Sequence, residues 1–159
     1  MIFAFATVTF YTSCTDPCKD VDCNETKGGT CLDGTCNCTS ATGYEGDDCK
    51  TLSRAKFINV WTVSSNSCVG GGGWQVSISG GSTDTKITLS NFSHLICGSG
   101  DIIVSANITG TNTFEIPSQV VCGGTFSGSG TISGNQITIS YNYDDGAGDT
   151  GTCSETYAL

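Results

Sequence analysis

Thr125-Phe126-Ser127-Gly128-Ser129-Gly130-Thr131-Ile132-Ser133-Gly134-Asn135-Gln136-Ile137-Thr138-Ile139-Ser140-Tyr141-Asn142-Tyr143 decides the fold. Ile137, Ile139, Tyr141 and Tyr143 recur at every second residue, the period of a strand buried on one face. Thr125 to Ile132 reads as the preceding strand, and Ser133-Gly134-Asn135 as the tight hairpin turn that joins the two.

The same period runs outward from this hairpin. Trp74-Gln75-Val76-Ser77-Ile78 alternates strictly, as do Ile102, Val104, Ala106 and Ile108. Phe57 to Val63 gives a mixed first strand. Thr85–Ser90, Thr113–Ile116, Gln119–Cys122 and Cys153–Ala158 are further candidates. Ser79-Gly80-Gly81-Ser82 and Thr109-Gly110-Thr111-Asn112 punctuate them, and no helical stripe appears. The pattern predicts an all-β domain over residues 57–159, with about seven to nine short antiparallel strands in an up-and-down barrel or sandwich.

The cysteines divide the chain differently. Of 11 Cys, seven lie between Cys14 and Cys49, and Cys68, Cys97, Cys122 and Cys153 are scattered beyond. So dense a segment cannot be ordered by a hydrophobic core and implies disulfides in an oxidising compartment. Zinc, the competing reading, favours closely spaced Cys pairs helped by His, and the single His, His94, is far from the cluster. No metal site or cofactor is expected. The net charge is −9, and beyond Lys56 only Lys86 stands against seven acids. Such a surface cannot neutralise a run of phosphates, so nucleic acid is excluded as a partner.

Ile2 to Phe10 is an apolar run too short to span a bilayer and suited to a secretory signal. With Tyr11-Thr12-Ser13-Cys14 it resembles the lipobox of bacterial lipoproteins, in which the thiol of the Cys (here Cys14) takes a diacylglycerol. The implied division is a signal peptide over 1–13 and a lipid-anchor tether over 14–17. The alternative is an ordinary cleaved leader and a secreted protein.

The next intervals are Cys18-x4-Cys23-x7-Cys31-x4-Cys36-x1-Cys38-x10-Cys49, ending in Gly43-Tyr44-Glu45-Gly46-Asp47-Asp48-Cys49. Residues 18–49 resemble the EGF-like family. That resemblance implies the pairs Cys18–Cys31, Cys23–Cys36 and Cys38–Cys49, out of the fifteen connectivities open to six cysteines. Closing each loop of about a dozen residues contributes about 3 kcal/mol in the chain-entropy model. With these six paired, the odd total leaves Cys14 as the unpaired thiol, consistent with lipidation. Calcium-binding relatives carry an Asp-x-Asp/Asn-Glu stretch before the first Cys. Thr15-Asp16-Pro17 lacks it, so Asp20, Asp22 and Asp33 are expected to form a solvated face.

Residues 50–56 read as a linker. On the meander, Cys68 follows the first strand and Cys153 opens the last, while Cys97 and Cys122 flank the middle strands. Of three possible connectivities, Cys68–Cys153 and Cys97–Cys122 are expected. The run from Phe57 to Val63, together with Ile87–Phe92, Phe114–Gln119, Gly128–Asn135 and Cys153–Tyr157, resembles a lipocalin-like β domain of Bacteroidetes-type outer-membrane lipoproteins. Such domains often follow a lipobox Cys and one EGF-like repeat. The resemblance implies an outer-membrane, cell-surface location.

No catalytic constellation is visible. His94 lacks a nucleophile-elbow sequence and reads as structural. Gly70 to Gly73 is followed by neither Lys-Ser/Thr nor a helix and reads as a hairpin loop. Asp144-Asp145-Gly146-Ala147-Gly148-Asp149 lacks the calcium-loop spacing and reads as an acidic hairpin tip. Trp61, Trp74, Tyr141 and Tyr143 are expected in the core or paired on one face. The sequons at Asn24, Asn37, Asn91 and Asn107 matter only in a eukaryotic secretory pathway. The function expected is non-catalytic: a surface-anchored module that binds an outer-membrane or extracellular protein partner or self-associates, through exposed strand edges. The alternative is a lipocalin-like carrier of a small apolar ligand, for which a barrel this small leaves little interior room.

Overall fold

Period-two alternation along the second part of the chain builds eight strands: β5 (Asn59–Asn66), β6 (Gln75–Gly80), β7 (Lys86–Ser90), β8 (Ile103–Ile108), β9 (Thr113–Val121), β10 (Gly124–Ser133), β11 (Gln136–Asp144) and β12 (Thr150–Ala158). The computed structural model describes residues 16–39, 42–95 and 102–159. Each strand pairs antiparallel with the next in sequence, and β12 pairs with β5, so the sheet closes as an eight-stranded barrel. The closing ladder sets Glu155 opposite Asn66, Thr156 opposite Ser65, Tyr157 opposite Val63 and Ala158 opposite Thr62. Closure removes the free strand edges that an open meander would leave.

The inward phase of the strands is apolar except at Asn66 in β5 and Glu155 in β12. Trp61, Val63, Val76, Ile78, Ile87, Leu89, Val104, Phe114, Phe126, Ile139, Tyr141 and Tyr157 are buried in one cluster. Phe57 meets Phe114 edge-on at 5.5 Å, and Phe92 lies 4.9 Å from Tyr141 and 5.8 Å from Phe126. Gly130 takes an inward position where the Phe114 ring lies across the strand; a Cβ there would come within 2.1 Å of Phe114 Cζ. Trp61 and Tyr141 belong to the core, whereas Trp74 and Tyr143 pack against its margin. The outward phase of β10 to β12 is Ser129, Thr131, Thr138, Ser140, Thr152 and Ser154, all exposed. A wall of hydroxyls around an apolar interior suits a barrel standing in water and reverses the lipid-facing pattern of membrane-spanning barrels. No helix among the described residues is long and apolar enough to cross a membrane.

The strands expected at Thr113–Ile116 and Gln119–Cys122 form a single strand, β9. Its register against β10 jumps between Phe126 and Gly128, so that Pro117 and Ser118 together face Ser127. Proline has no N–H to give to a ladder, and the bulge absorbs it.

The amino-terminal part is ordered by disulfides rather than by a core. Cys18–Cys31, Cys23–Cys36 and Cys38–Cys49 are bonded around two small hairpins, β1 (Thr30–Leu32) with β2 (Thr35–Asn37) and β3 (Tyr44–Glu45) with β4 (Thr51–Leu52). A fourth bridge, Cys68–Cys153, ties the end of β5 to β12. Cys122 is also disulfide-bonded. Its expected partner Cys97 lies outside the described residues, as does Cys14. Bridges of this density belong to an oxidising, extracytoplasmic compartment. Residues 50–56, read as a linker from sequence, are built into the structure as β4 and a 3-10 turn over Ser53–Lys56, with Ser53 buried.

Candidate functional site

Three places concentrate polar chemistry, and none was singled out by the sequence patterns. The lower end of the barrel, formed by the β6–β7, β8–β9 and β10–β11 turns, receives the disulfide-rich segment. Asp84 of the β6–β7 turn is its hub. Its Oδ2 accepts from the Tyr44 hydroxyl at 2.8 Å and from Lys27 Nζ at 3.3 Å, and Arg54 stands 3.6 Å from Oδ1. Lys27 also sits over the Tyr44 ring, 5.3 Å from its centre. The Arg54 guanidinium donates to the carbonyls of Gly81, Thr83 and Lys86, so the turn is held by backbone as well as charge. Lys56 closes the other side, pairing with Glu45 at 2.7 Å and donating to Asn112 Oδ1 at 3.1 Å. An open cleft of about 410 Å³ lies beside it, lined by Lys56, Trp61, Asn112, Ile132 and Leu159 among others.

Tyr44 first and Lys27 second hold the Asp84 carboxyl below its ordinary value. A lowered folded value means that the contribution is present above the ordinary carboxyl range and is lost as pH falls through the lowered value. Asp84→Ala combined with Lys56→Ala, which removes the hub and the contacts on the other side, is expected to free the disulfide-rich segment from the barrel while leaving both internally intact. Backbone ¹⁵N relaxation would then report two tumbling times, with the barrel's melting temperature unchanged. A single tumbling time in the variant would show that neither the hub nor Lys56 sets the orientation.

The second place is inside the barrel. Glu155 follows Cys153 and precedes Tyr157 in the inward phase of β12, and it has 0% of its surface exposed. Its Oε2 accepts from the Tyr157 hydroxyl at 2.6 Å, and its Oε1 accepts from Asn66 Nδ2 at 2.5 Å and from the Tyr141 hydroxyl at 3.1 Å. Ser93 Oγ lies 2.8 Å from that same Tyr141 hydroxyl. The amide oxygen of Asn66 accepts from the backbone N–H groups of Cys68 and Val69 at 2.7 and 3.0 Å. Burial pushes the Glu155 carboxyl above its ordinary value, against the pull of Tyr157, Tyr141 and Asn66. Burial likewise raises the phenols of Tyr141 and Tyr157. A carboxyl without a cationic partner survives there because donors surround it. The signal was present in the sequence as an ionisable residue in an apolar phase.

The third place is the seam between β8 and β9. Among the described residues these strands share two ladder pairs, Asn107 with Glu115 and Ile108 with Phe114. Beyond them Pro117 offers no N–H. The Gln119 side chain takes the place of a neighbouring strand, accepting from the Ser105 N–H at 2.9 Å and donating to the Ser105 carbonyl at 2.8 Å. Ile103 and Val120 are exposed on either side, by 54% and 73%.

The residues weighed from sequence have structural surroundings. His94 stacks on Trp74 at 4.5 Å and bonds Asn91 Oδ1 at 2.7 Å. Asp144 and Asp145 turn their carboxylates onto the backbone N–H groups of Gly146, Ala147 and Asp149, as in an Asx turn. Asp22 pairs with Lys50 at 3.0 Å, and Asp33 occupies a left-handed turn position at φ 50°. The amides of Asn24 and Asn91 donate to the carbonyls of Cys49 and Gln75. No group of three or more potential metal ligands occurs among the described residues. No family model matches the chain, and neither a curated protein nor a solved structure shows significant similarity to it.

Proposed function

We propose that the protein is a non-catalytic interaction module anchored at a bacterial outer membrane or cell surface by a lipid on Cys14. In this reading an EGF-like module over residues 18–49 stands between anchor and barrel, and the β8–β9 seam receives a partner's extended segment. The seam carries the reading. A strand whose backbone is satisfied by one side chain can exchange that side chain for a partner's backbone, and the flanking Ile103 and Val120 offer apolar contact. The one-three, two-four, five-six order of the first three bridges supports the EGF-like assignment. The partner is an outer-membrane or extracellular protein, or a second copy of the chain.

Affinity capture from intact membranes with the full chain tests this, with mass spectrometry of both the partner and the amino-terminal peptide. A protein partner or a dimer is expected with the wild type, with diacylglyceryl on Cys14. Both partner and dimer should be lost in the Ile103→Lys/Val120→Lys variant, whose charges stand beside the seam and leave the core untouched. An unmodified, freely secreted monomer with no partner would sink the proposal. The lipocalin-like carrier uses the same barrel, but Phe92, Phe114, Phe126 and Tyr141 occupy its interior. Co-purified lipid would favour the carrier instead.

A further inference from the structure

The cleft of about 410 Å³ at the lower end of the barrel belongs neither to the Asp84 hub nor to the β8–β9 seam. Its volume lies within the range of small-molecule sites, about 300–1,000 Å³. Its base is apolar: Trp61 and Ile132 are buried there, and Leu159, 60% exposed, stands at its edge. Its walls are polar and uncharged. Asn112 comes from the β8–β9 turn, and Ser133 and Asn135 flank the β10–β11 turn. Among the described residues the Ser133 hydroxyl, the Asn135 carboxamide and Asn112 Nδ2 have no hydrogen-bond partner.

The contacts around the cleft narrow its occupant. Lys56, the one charged side chain that lines it, is paired with Glu45 at 2.7 Å and donates to Asn112 Oδ1 at 3.1 Å. Its charge is already met, so a buried anion would lack a counter-charge of its own. The backbone N–H groups of Ile132 and Leu159 donate to the carbonyls of Asn112 and Asn135, at 2.9 and 3.3 Å. The Trp61 indole N–H donates to the Phe57 carbonyl at 2.8 Å. An extended peptide therefore finds no free N–H there to pair with. A wholly apolar ligand would strip water from two amides and a hydroxyl without replacing it. A neutral molecule with hydroxyls around its rim and C–H groups on its face satisfies both surfaces.

We propose that this cleft binds a neutral sugar ring. The C–H face of the ring lies on Ile132 and Leu159, and its hydroxyls meet Asn135, Ser133 and Asn112. A carboxamide presents N–H donors and an acceptor oxygen in one plane, so Asn135 can donate to one hydroxyl and accept from its neighbour. Asn112 is oriented by Lys56, which holds its oxygen and turns its Nδ2 donors free. Lys56 is thus a positioning residue rather than a charge partner. The site goes beyond the seam and does not rest on it, since none of its residues lies on the β8 side of that seam.

¹H–¹⁵N spectra of the full oxidised chain test the site, with the methyl glycosides of glucose, galactose, mannose and N-acetylglucosamine as probes. At least one should shift the side-chain amides of Asn112 and Asn135 and the Trp61 indole N–H together and saturably. A ring of about a dozen heavy atoms is expected to bind on the order of millimolar. Asn135→Ala deletes a side chain without internal partners and should weaken that binding about tenfold. Ser133→Trp, which fills the cleft, should abolish it. Ile103→Lys/Val120→Lys should bind the sugar as the wild type does, so loss of the seam and loss of the cleft are separately visible. Absence of saturable shifts at these residues up to about 50 mM probe would overturn the proposal. So would tighter binding of methyl glucuronide, the acidic counterpart, than of the neutral glucoside. If Ser133→Trp does not fold, Asn135→Ala decides: equal affinity in it and the wild type overturns the site.

Discussion

Glu155→Leu is expected to cost the barrel on the order of 3 kcal/mol, because leucine matches the volume roughly but removes the acceptor of three buried donors, of which Tyr141 keeps a partner in Ser93, at about 1–3 kcal/mol for each donor left unpaired. Those donors are the Tyr157 hydroxyl, the Tyr141 hydroxyl and Asn66 Nδ2. Loss of one partner from a buried network is costlier than loss of the whole network. Combining Glu155→Leu with Tyr157→Phe and Tyr141→Phe should therefore recover part of the deficit. Urea denaturation of the oxidised chain measures both. A triple variant less stable than Glu155→Leu alone would show that the carboxyl's surroundings count for packing rather than polarity.

The same residue gives stability a pH dependence of known sign. Its folded value is raised by burial, so its contribution is fully present below the ordinary carboxyl value and is lost as pH rises through the raised one. Asp22 and Asp84 act oppositely, since lowered values make their contributions fall away toward acid. The difference between wild type and Glu155→Gln isolates the buried group from these surface acids. That difference should change with pH between the ordinary and the raised value and be flat outside that window.

Removal of the Cys68–Cys153 bridge is the second large effect. The bridge spans 85 residues. Closing so long a loop is worth about 4 to 5 kcal/mol in the chain-entropy model, so a Cys68→Ala/Cys153→Ala variant should lose about that much stability toward urea. The loss should exceed that from any of the three bridged loops of the disulfide-rich segment when stability of the barrel is read by tryptophan fluorescence, because those loops lie outside it. Trp61 is buried in the barrel and reports its unfolding directly. An unchanged urea midpoint in the variant would show that the closed β5–β12 ladder constrains the chain without the bridge.

How much was legible from the residues depends on how far apart the interacting groups lie in the chain. The β10–β11 hairpin could be read almost residue by residue: the alternation from Ile137 to Tyr143 and the Gly134-Asn135 turn are local features, and the pairs from Ser133–Gln136 to Thr125–Asp144 follow from them. The β9 bulge was missed because Pro117 reads as a strand break until β10 is seen to continue past it. Residues 50–56 read as a linker because nothing local reveals that Arg54 reaches the β6–β7 turn. Gln119 carries no sequence signal at all, since its role exists only where Ser105 of another strand has no ladder pair on its β9 side. Glu155 carried a faint one, an acid in the inward phase, but its partners Asn66 and Tyr141, and Ser93 behind Tyr141, come from three other parts of the chain.

The sequence by itself determined the all-β class, the meander and the disulfide-rich segment. Side-chain alternation, turn chemistry and cysteine density are local properties that the chain carries before it folds. Tertiary structure alone decided that β12 closes onto β5, and with that closure the rest. It set Asn66 beside Glu155 across 89 residues, left the β8–β9 seam to a glutamine, and docked the amino-terminal segment on Asp84. Such pairings depend on which distant strands meet and in what register, and neither is written in the period of any one strand.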